Sequence, residues 1–470
     1  MTSPSFLKDV QWPAGTLVHY PESEAFTNST ARWSIYKAPS FAAVISPPDE
    51  ESLVSIVKVA RAAKIPFLAT SGRHGYGTSL SRLQNGLAID LSKLKSVKID
   101  KDSSTLTIGG GVQNCDVMEP IHEAGYQLPI GTSTQVGLVG ATLGGGIGAY
   151  QGLFGLITDS LLSVRLVTAD GDVVEVSENS NSDLFWGIRG AGCNFGIITS
   201  ATYRLHKPVN AAQVMTADVI YPGSMKSAYF DVLRTFENNV PAELAIVPVI
   251  SWDAASNATQ IISTFVYSGP ESKGREVLAP FLDLNPPVVR LSVVPFHQMP
   301  YAVIFGMIST LETPGGIHDI FTVNVRKFSI DTFNSAFEKF DAFYKANPDG
   351  RLSVGIFEIF PTQAVAAVPD DATAYPWRDA KGNFMFQMMW TGLDNPVEEA
   401  ANALGRELRQ DFAATSGYDD LSVYVSYAYG DETREQIFRK DKLPRLVALK
   451  KKWDPDNVFS YNNQLPTRYP

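Results

Sequence analysis

The sequence predicts an α+β fold built as two lobes, and three observations carry that prediction. At 470 residues the chain exceeds the ~250–300 residues at which a single hydrophobic core stops growing. Through residue 208, short β-type runs mix with helical segments and glycine-rich loops, which suits α+β packing. After His206-Lys207-Pro208 the texture changes: glycine-rich loops disappear, and from Val209 to Tyr429 strands alternate with amphipathic helices such as residues 333–346.

The elements follow in order. Pro47-Pro48-Asp49 introduces a helix over residues 50–64, with Leu53, Val54, Ile56, Val57, Val59 and Ala60 on one apolar face. Asp49 can cap it, and Glu50 and Glu51 suit its positive end. A strand over 65–69 comes next, then the loop Thr70-Ser71-Gly72-Arg73-His74-Gly75-Tyr76-Gly77. Strands are expected over 87–91, 97–99 and 106–112. A helix over 116–124 stops at Gly125. Runs 164–167 and 173–176 flank Ala169-Asp170-Gly171-Asp172, a hairpin signal, and a strand over 197–205 closes this unit.

Composition excludes several classes. Hydrophobic residues make up 44% and charged residues 19%, as in an ordinary globular protein. A net charge of −10 counts against a nucleic-acid partner, because phosphate neutralisation wants a basic surface. Lys450-Lys451-Lys452 reads as a solvated face of a C-terminal helix. Cys115 and Cys193 are too few for a disulfide framework and lack zinc spacing, so no metal is expected and both read as small buried hydrophobes. Residues 1–26 lack a charged n-region and an apolar h-region, and no apolar run reaches the ~20 residues of a membrane span. A cytoplasmic chain without a membrane partner is expected, with secretion left open and the oligomeric state unread.

The loop at 70–77 is the most informative stretch. Glycine removes the side chains that would keep a diphosphate from backbone N–H groups. Such loops are also common turn material. The signal strengthens with a second stretch, Gly131-Thr132-Ser133-Thr134-Gln135-Val136-Gly137-Leu138, running on to Gly144-Gly145-Gly146-Ile147-Gly148. A third motif spans Ser182-Asp183-Leu184-Phe185-Trp186-Gly187 through Gly196-Ile197-Ile198-Thr199. The chain closes with Trp453-Asp454-Pro455-Asp456-Asn457 and Tyr461-Asn462-Asn463-Gln464.

In that order the motifs resemble the vanillyl-alcohol-oxidase superfamily, with its PCMH-type FAD-binding domain, and more closely the berberine-bridge-enzyme-like FAD oxidases. The resemblance implies an FAD lobe over 1–208 and a substrate lobe over 209–429 with an antiparallel sheet covered by helices. A segment over 430–470 would return to the FAD lobe, with 434–452 as its helix. It implies FAD joined through the flavin 8α-methyl to His74, with Arg73 where the family carries a second glycine. Ser71, Gly72, Arg73, His74 and Gly75 would donate to the cofactor. Gly137, Leu138, Gly144, Gly145, Gly146 and Ile197 would press against it, and Tyr461 and Asn462 would sit near the flavin. Ser133 occupies the position of the cysteine used by bicovalent members, which implies the monocovalent branch. Val136 falls at the site near flavin C4a, where a small side chain accompanies reaction with O2.

Hydride transfer to flavin N5 also needs a group to take the substrate's proton. Leu421-Ser422-Val423-Tyr424-Val425-Ser426-Tyr427 resembles the family's Tyr-x-Asn-Tyr segment, with Ser426 replacing asparagine. Tyr424 is the expected base, with Tyr427 and Tyr429 behind it and Glu358 as the alternative carboxylate. Residues 382–390 resemble the strand bearing the base or its glutamine replacement. There Met385 and Gln387 share a face by period-two alternation, and Gln387 cannot act as a base. His297 and His318 read as ordinary satisfied side chains. The implied function is oxidation of a small secondary metabolite (alkaloid, phenol or polyketide) with reoxidation by O2. A carbohydrate oxidase, a redox-neutral cyclase scaffold and a protein keeping FAD structurally are the alternatives.

Overall fold

A parallel core of three strands explains how the loop at 70–77 is presented. In the computed structural model, which describes residues 10–470, β1 (Leu17–His19), β2 (Phe41–Ser46), β3 (Phe67–Thr70) and β4 (Gly86–Asp90) form a sheet in the order β1-β2-β4-β3. Strands β2, β4 and β3 run parallel, so the crossover from β2 to β3 is a helix, as parallel pairing demands. That helix, Glu50–Ala62, buries Leu53, Ile56, Val57 and Ala60, and Asp49 accepts a hydrogen bond from the Ser52 N–H at 2.8 Å. It stops short of the expected residue 64, where Lys64 turns left-handed at φ 54°.

The second sheet is antiparallel: β5 (Val97–Asp100), β6 (Thr105–Gly109), β7 (Leu161–Val167), β8 (Val173–Ser177) and β9 (Ile197–Arg204), in the order β5-β6-β9-β7-β8. The expected hairpin is β7–β8, turning where Gly171 takes φ +75°.

The third sheet has seven antiparallel strands among the described residues: β10 (Gln213–Pro222), β11 (Leu244–Asp253), β12 (Ala258–Tyr267), β13 (Val288–Pro295), β14 (Asp319–Val325), β15 (Val354–Glu358) and β16 (Gly382–Met388). Their order is β13-β10-β12-β11-β15-β16-β14. Helices Ile330–Ala346 and Val397–Thr415 cover one face through an aromatic core in which Phe333 and Phe412 meet Phe357 and Phe384. Alternation puts Glu358, Met385 and Gln387 on the opposite face.

The C-terminal chain packs on the first two sheets. Arg61 pairs with Asp456 at 2.6 Å, and the Phe459 ring meets Phe67 at 5.9 Å. Instead of one helix over 434–452 there are two, Arg434–Phe438 and Leu443–Trp453. The break falls at Arg439 (φ +67°), and Pro444 opens the second helix, where proline lacks nothing.

The lysine run also departs from expectation. Lys450 is fully buried and donates to Asp454 at 2.6 Å, to the Phe459 carbonyl at 2.8 Å and to the Asn194 carbonyl at 2.9 Å. Helical geometry places it above the buried Leu446, so only Lys451 and Lys452 face solvent. Cys115 and Cys193 are free and partly exposed as whole residues, with Cys193 packed against the hydrophobic core. Among the described residues, no helix is long and apolar enough to cross a membrane, and no cluster of three or more His, Cys, Asp or Glu side chains could hold a metal ion.

Candidate active site

The two glycine stretches meet. A Cβ on Gly72 would collide with the Gly137 nitrogen and the Gln135 carbonyl. A Cβ on Gly137 would press on Ser71 Oγ at 2.9 Å. Arg73 stands at φ +56°, a left-handed conformation that favours glycine. Two contacts hold it there: Arg73 Nε donates to the Ala31 carbonyl at 2.9 Å, and Nη1 lies 3.4 Å from Asp90 at the end of β4.

Several polar atoms around this junction are buried without a protein partner: Thr70 Oγ1, Ser71 Oγ, Asn114 Oδ1, Asn463 Oδ1 and Arg32 Nε. Buried polar atoms are normally hydrogen-bonded. Hydroxyls, amides and a guanidinium beside glycine backbone fit a dinucleotide, whose phosphates accept and whose ring edges both donate and accept.

His74 ends this cradle. Its imidazole stacks on Trp33 with ring centroids 5.4 Å apart, and burial with the nearby Arg32 charge lowers its pKa to about 4. It is therefore neutral, with a nitrogen lone pair available. Arg32 Nη2 donates to the Gly75 carbonyl at 2.5 Å. Trp33 also stacks on His318, with ring centroids 3.8 Å apart. His318 is buried and satisfied as expected, by this stack and by Gln387 Nε2 at 3.0 Å, while His297 lies beside His122 at 4.2 Å in a separate crevice of about 540 Å³, its Nδ1 buried without a partner among the described residues.

The loop at 133–137 is tied from outside. Asn114 Nδ2 donates to the Ser133 carbonyl at 2.7 Å, and the Val136 carbonyl accepts from the Asn114 N–H at 3.0 Å. The buried Glu312 accepts from the Thr134 N–H, from Thr134 Oγ1 at 2.5 Å and from the Gln135 N–H at 3.4 Å. Leu138 and Ile197 are buried in the hydrophobic cores. Tyr461 is half-buried near Arg82, and Asn462 lies by the Cys193 thiol, which burial pushes up to about 11.

Gly144, Gly145 and Gly146 meet protein. Gly145 faces the Tyr375 ring, and the Gly146 N–H donates to the Tyr424 hydroxyl at 2.9 Å. The segment bearing Tyr424 is no strand: Val425–Tyr427 forms a 3-10 turn, which brings residues three apart to one side. The Tyr424 and Tyr427 rings accordingly meet edge to face at 4.9 Å. Tyr424 is buried and its hydroxyl is occupied by the glycine loop. Tyr427 instead points its hydroxyl at Glu358, 3.1 Å from Oε2. Of the two phenols, Tyr427 is thus the one beside the carboxylate. No cation lowers either pKa; burial raises both. Burial also lifts the Glu358 carboxyl to about 8, with the Tyr427 hydrogen bond pulling it down. Tyr429 leaves the site, stacking on Phe321 at 4.5 Å on the helix-covered face.

The rest of the site face is apolar and soft. Tyr76 lies between Trp33 (6.0 Å) and Tyr427 (6.3 Å), its hydroxyl 4.0 Å from Met385 Sδ. Gln387 Nε2 lies 3.0 Å from both His318 Nδ1 and Met389 Sδ. Sequence reading missed Arg32, Trp33, Glu312 and His318. Each reaches the site from a segment with no glycine motif, and Gly315-Gly316 just before His318 was the one local signal available.

Comparison with known proteins identifies the family. Residues 41–177 match the FAD binding domain family, and residues 423–466 match the berberine and berberine-like family. The FAD-linked oxidoreductase OXR1 of Pyricularia oryzae is 47% identical over 458 residues, covering 97% of this chain and 90% of its own. The wild-type BBE-like 1 protein of Physcomitrella patens superposes with a TM-score of 0.85 at 20% identity, covering 100% of both chains. A glucooligosaccharide oxidase of Acremonium strictum, described with a 6-S-cysteinyl, 8α-N1-histidyl FAD, gives a TM-score of 0.82 at 22% identity, covering 97% of this chain and 98% of its own. At those identities the two structures speak for the fold alone. The near-full-length identity to a curated oxidoreductase and the paired domain matches speak for more: the chain belongs to the berberine-bridge-enzyme-like, FAD-linked oxidoreductases.

Proposed function

We propose that the protein is a monocovalent flavin oxidase of a small, largely apolar secondary metabolite, with FAD joined 8α to His74 and O2 as electron acceptor. The observation that carries this reading is the neutral His74 imidazole held on Trp33 where the two glycine loops meet. Ser133 has no thiol to form a second link. The division into residues 1–208, 209–429 and a returning 430–470 belongs to the same reading and is supported by the Arg61–Asp456 and Lys450–Asn194 contacts.

When bound, FAD supplies a hydride acceptor at N5. The chain's own residues handle the proton. Tyr427 Oη faces the substrate hydroxyl and takes its proton, while Glu358 Oε2, 3.1 Å away, receives the phenol's proton. Tyr424, fixed on the Gly146 N–H, holds the turn in place. Trp33, Tyr76, Met385 and Met389 exclude water and favour a flat aromatic or polyketide-like molecule over a sugar.

Acid denaturation tests the link. Yellow flavin should stay on the wild-type polypeptide and leave His74→Ala. Release from both would overturn the covalent reading, and reduced flavin that fails to yield peroxide in air would overturn the oxidase.

A further inference from the structure

Gln387 stands away from the proton-handling pair. On β15 its cross-strand neighbour is Val354, and Glu358 lies four residues further along the same strand. At ~3.3 Å per residue that separates the two ends of the site face by about 13 Å. Met385 lies between them on the same face, opposite Ile356.

The orientation of the Gln387 amide is fixed by chemistry. A thioether can only accept, so the group 3.0 Å from Met389 Sδ is the NH2. The same NH2 meets His318 Nδ1 at 3.0 Å. That nitrogen must then be the bare one, and burial keeps the imidazole unprotonated, lowering it to about 4. The ring cannot turn away. It is buried, stacked on Trp33 at 3.8 Å, and its Nε2 edge abuts Gly316, where no side chain could fit. Both amide hydrogens are therefore used inside the protein. Gln387 Oε1 has no hydrogen-bond partner among the described residues, and the side chain is only half-buried.

We infer that His318 and Met389 position Gln387 as a distal anchor, a carbonyl acceptor that binds an O–H or N–H donor on the far end of an elongated substrate. The inference rests on the oxidase reading above for which end reacts. It adds a ruler: the reacting hydroxyl sits at Tyr427, and a second donor sits about two fused rings away. A substrate with an ether or ester at that end leaves the carbonyl unpaired, which costs about as much as one hydrogen bond.

The test uses the holoenzyme with its flavin already reduced by dithionite, kept without oxygen so that neither probe is turned over, and two rigid probes. One is a naphthol carrying a hydroxymethyl group at the opposite end of its two rings; the other is the methyl ether of that naphthol. Binding is read by calorimetry. Wild type should hold the naphthol about tenfold more tightly than the ether, the value of one hydrogen bond. His318→Phe keeps a ring on Trp33 but offers no acceptor, so the preference should vanish, as it should in Gln387→Leu. His318→Asn restores an acceptor near the Nδ1 position and should recover the preference. Absence of preference in wild type, or its survival in His318→Phe, would overturn the inference. So would an equal loss of both probes, which marks collapse of the pocket. Acid-stable flavin in the same preparations reports separately on the covalent oxidase reading.

Discussion

Glu358 is a carboxyl whose environment opposes its charge, and Tyr427 is its one hydrogen-bond partner among the described residues. If the carboxylate receives the phenol's proton, anaerobic flavin reduction rises with pH, half-maximal near 8, and Glu358→Gln loses that dependence. Tyr427→Phe should slow reduction by about 10²–10⁴-fold, the range of general-base catalysis, and Tyr424→Phe by less. The same shift acts on folding. An unfolded glutamate titrates near ~4.3, so above that pH the unfolded chain has released a proton that the folded chain still holds. Stability from this group is complete below the unfolded value and is lost as pH rises through about 8. Thermal melts of Glu358→Gln across this range should show a flatter slope than wild type. At this scale the sequence displayed His74, because a glycine motif flags it. Trp33 and His318 stayed hidden, since ring stacking between distant segments leaves no local pattern. Which of Tyr424 and Tyr427 meets Glu358 was also unreadable, because it depends on a turn type and not on spacing.

At the scale of elements, the helix Glu50–Ala62 and the β7–β8 hairpin were legible, since capping, periodicity and turn residues are all local. Arg434–Phe438 and Leu443–Trp453 read as one helix because Pro444 is tolerated at a helix start as readily as it breaks an interior. Within the second helix, Lys450 supports the C-terminal turn through Asp454, which in turn accepts from the Val458 and Phe459 N–H groups at 2.8 and 2.9 Å. Lys450→Met leaves Asp454 buried without its counter-ion, and should cost about 3–5 kcal/mol. Lys451→Met should change stability by less than ~0.5 kcal/mol, and denaturation curves of the two variants compare them directly. The junction of the glycine loops is as unforgiving. Gly72→Ala drives a methyl into the backbone of 135–137, so the purified variant should lose its flavin, measured as the flavin-to-protein absorbance ratio.

Across the whole molecule, the strands up to Arg204 build the two smaller sheets and those from Gln213 onward build the seven-stranded one. What the sequence could not display is strand order. β15 sits between β11 and β16, and β14 beyond β16, through pairings that only the assembled sheet determines. Those pairings set Glu358, Met385 and Gln387 in a row. They meet the cofactor loops through residues 424–427: the Tyr424 hydroxyl rests on Gly146, the Tyr427 carbonyl accepts from Thr322 Oγ1 of β14 at 3.0 Å, and the Tyr427 hydroxyl meets Glu358. On the proposed flavin-oxidase reading, this one short turn acts as a gauge block between electron acceptor and electron donor. A substitution that displaces it moves both contacts together, so the spacing between oxidant and fuel cannot drift while either half of the machine stays true.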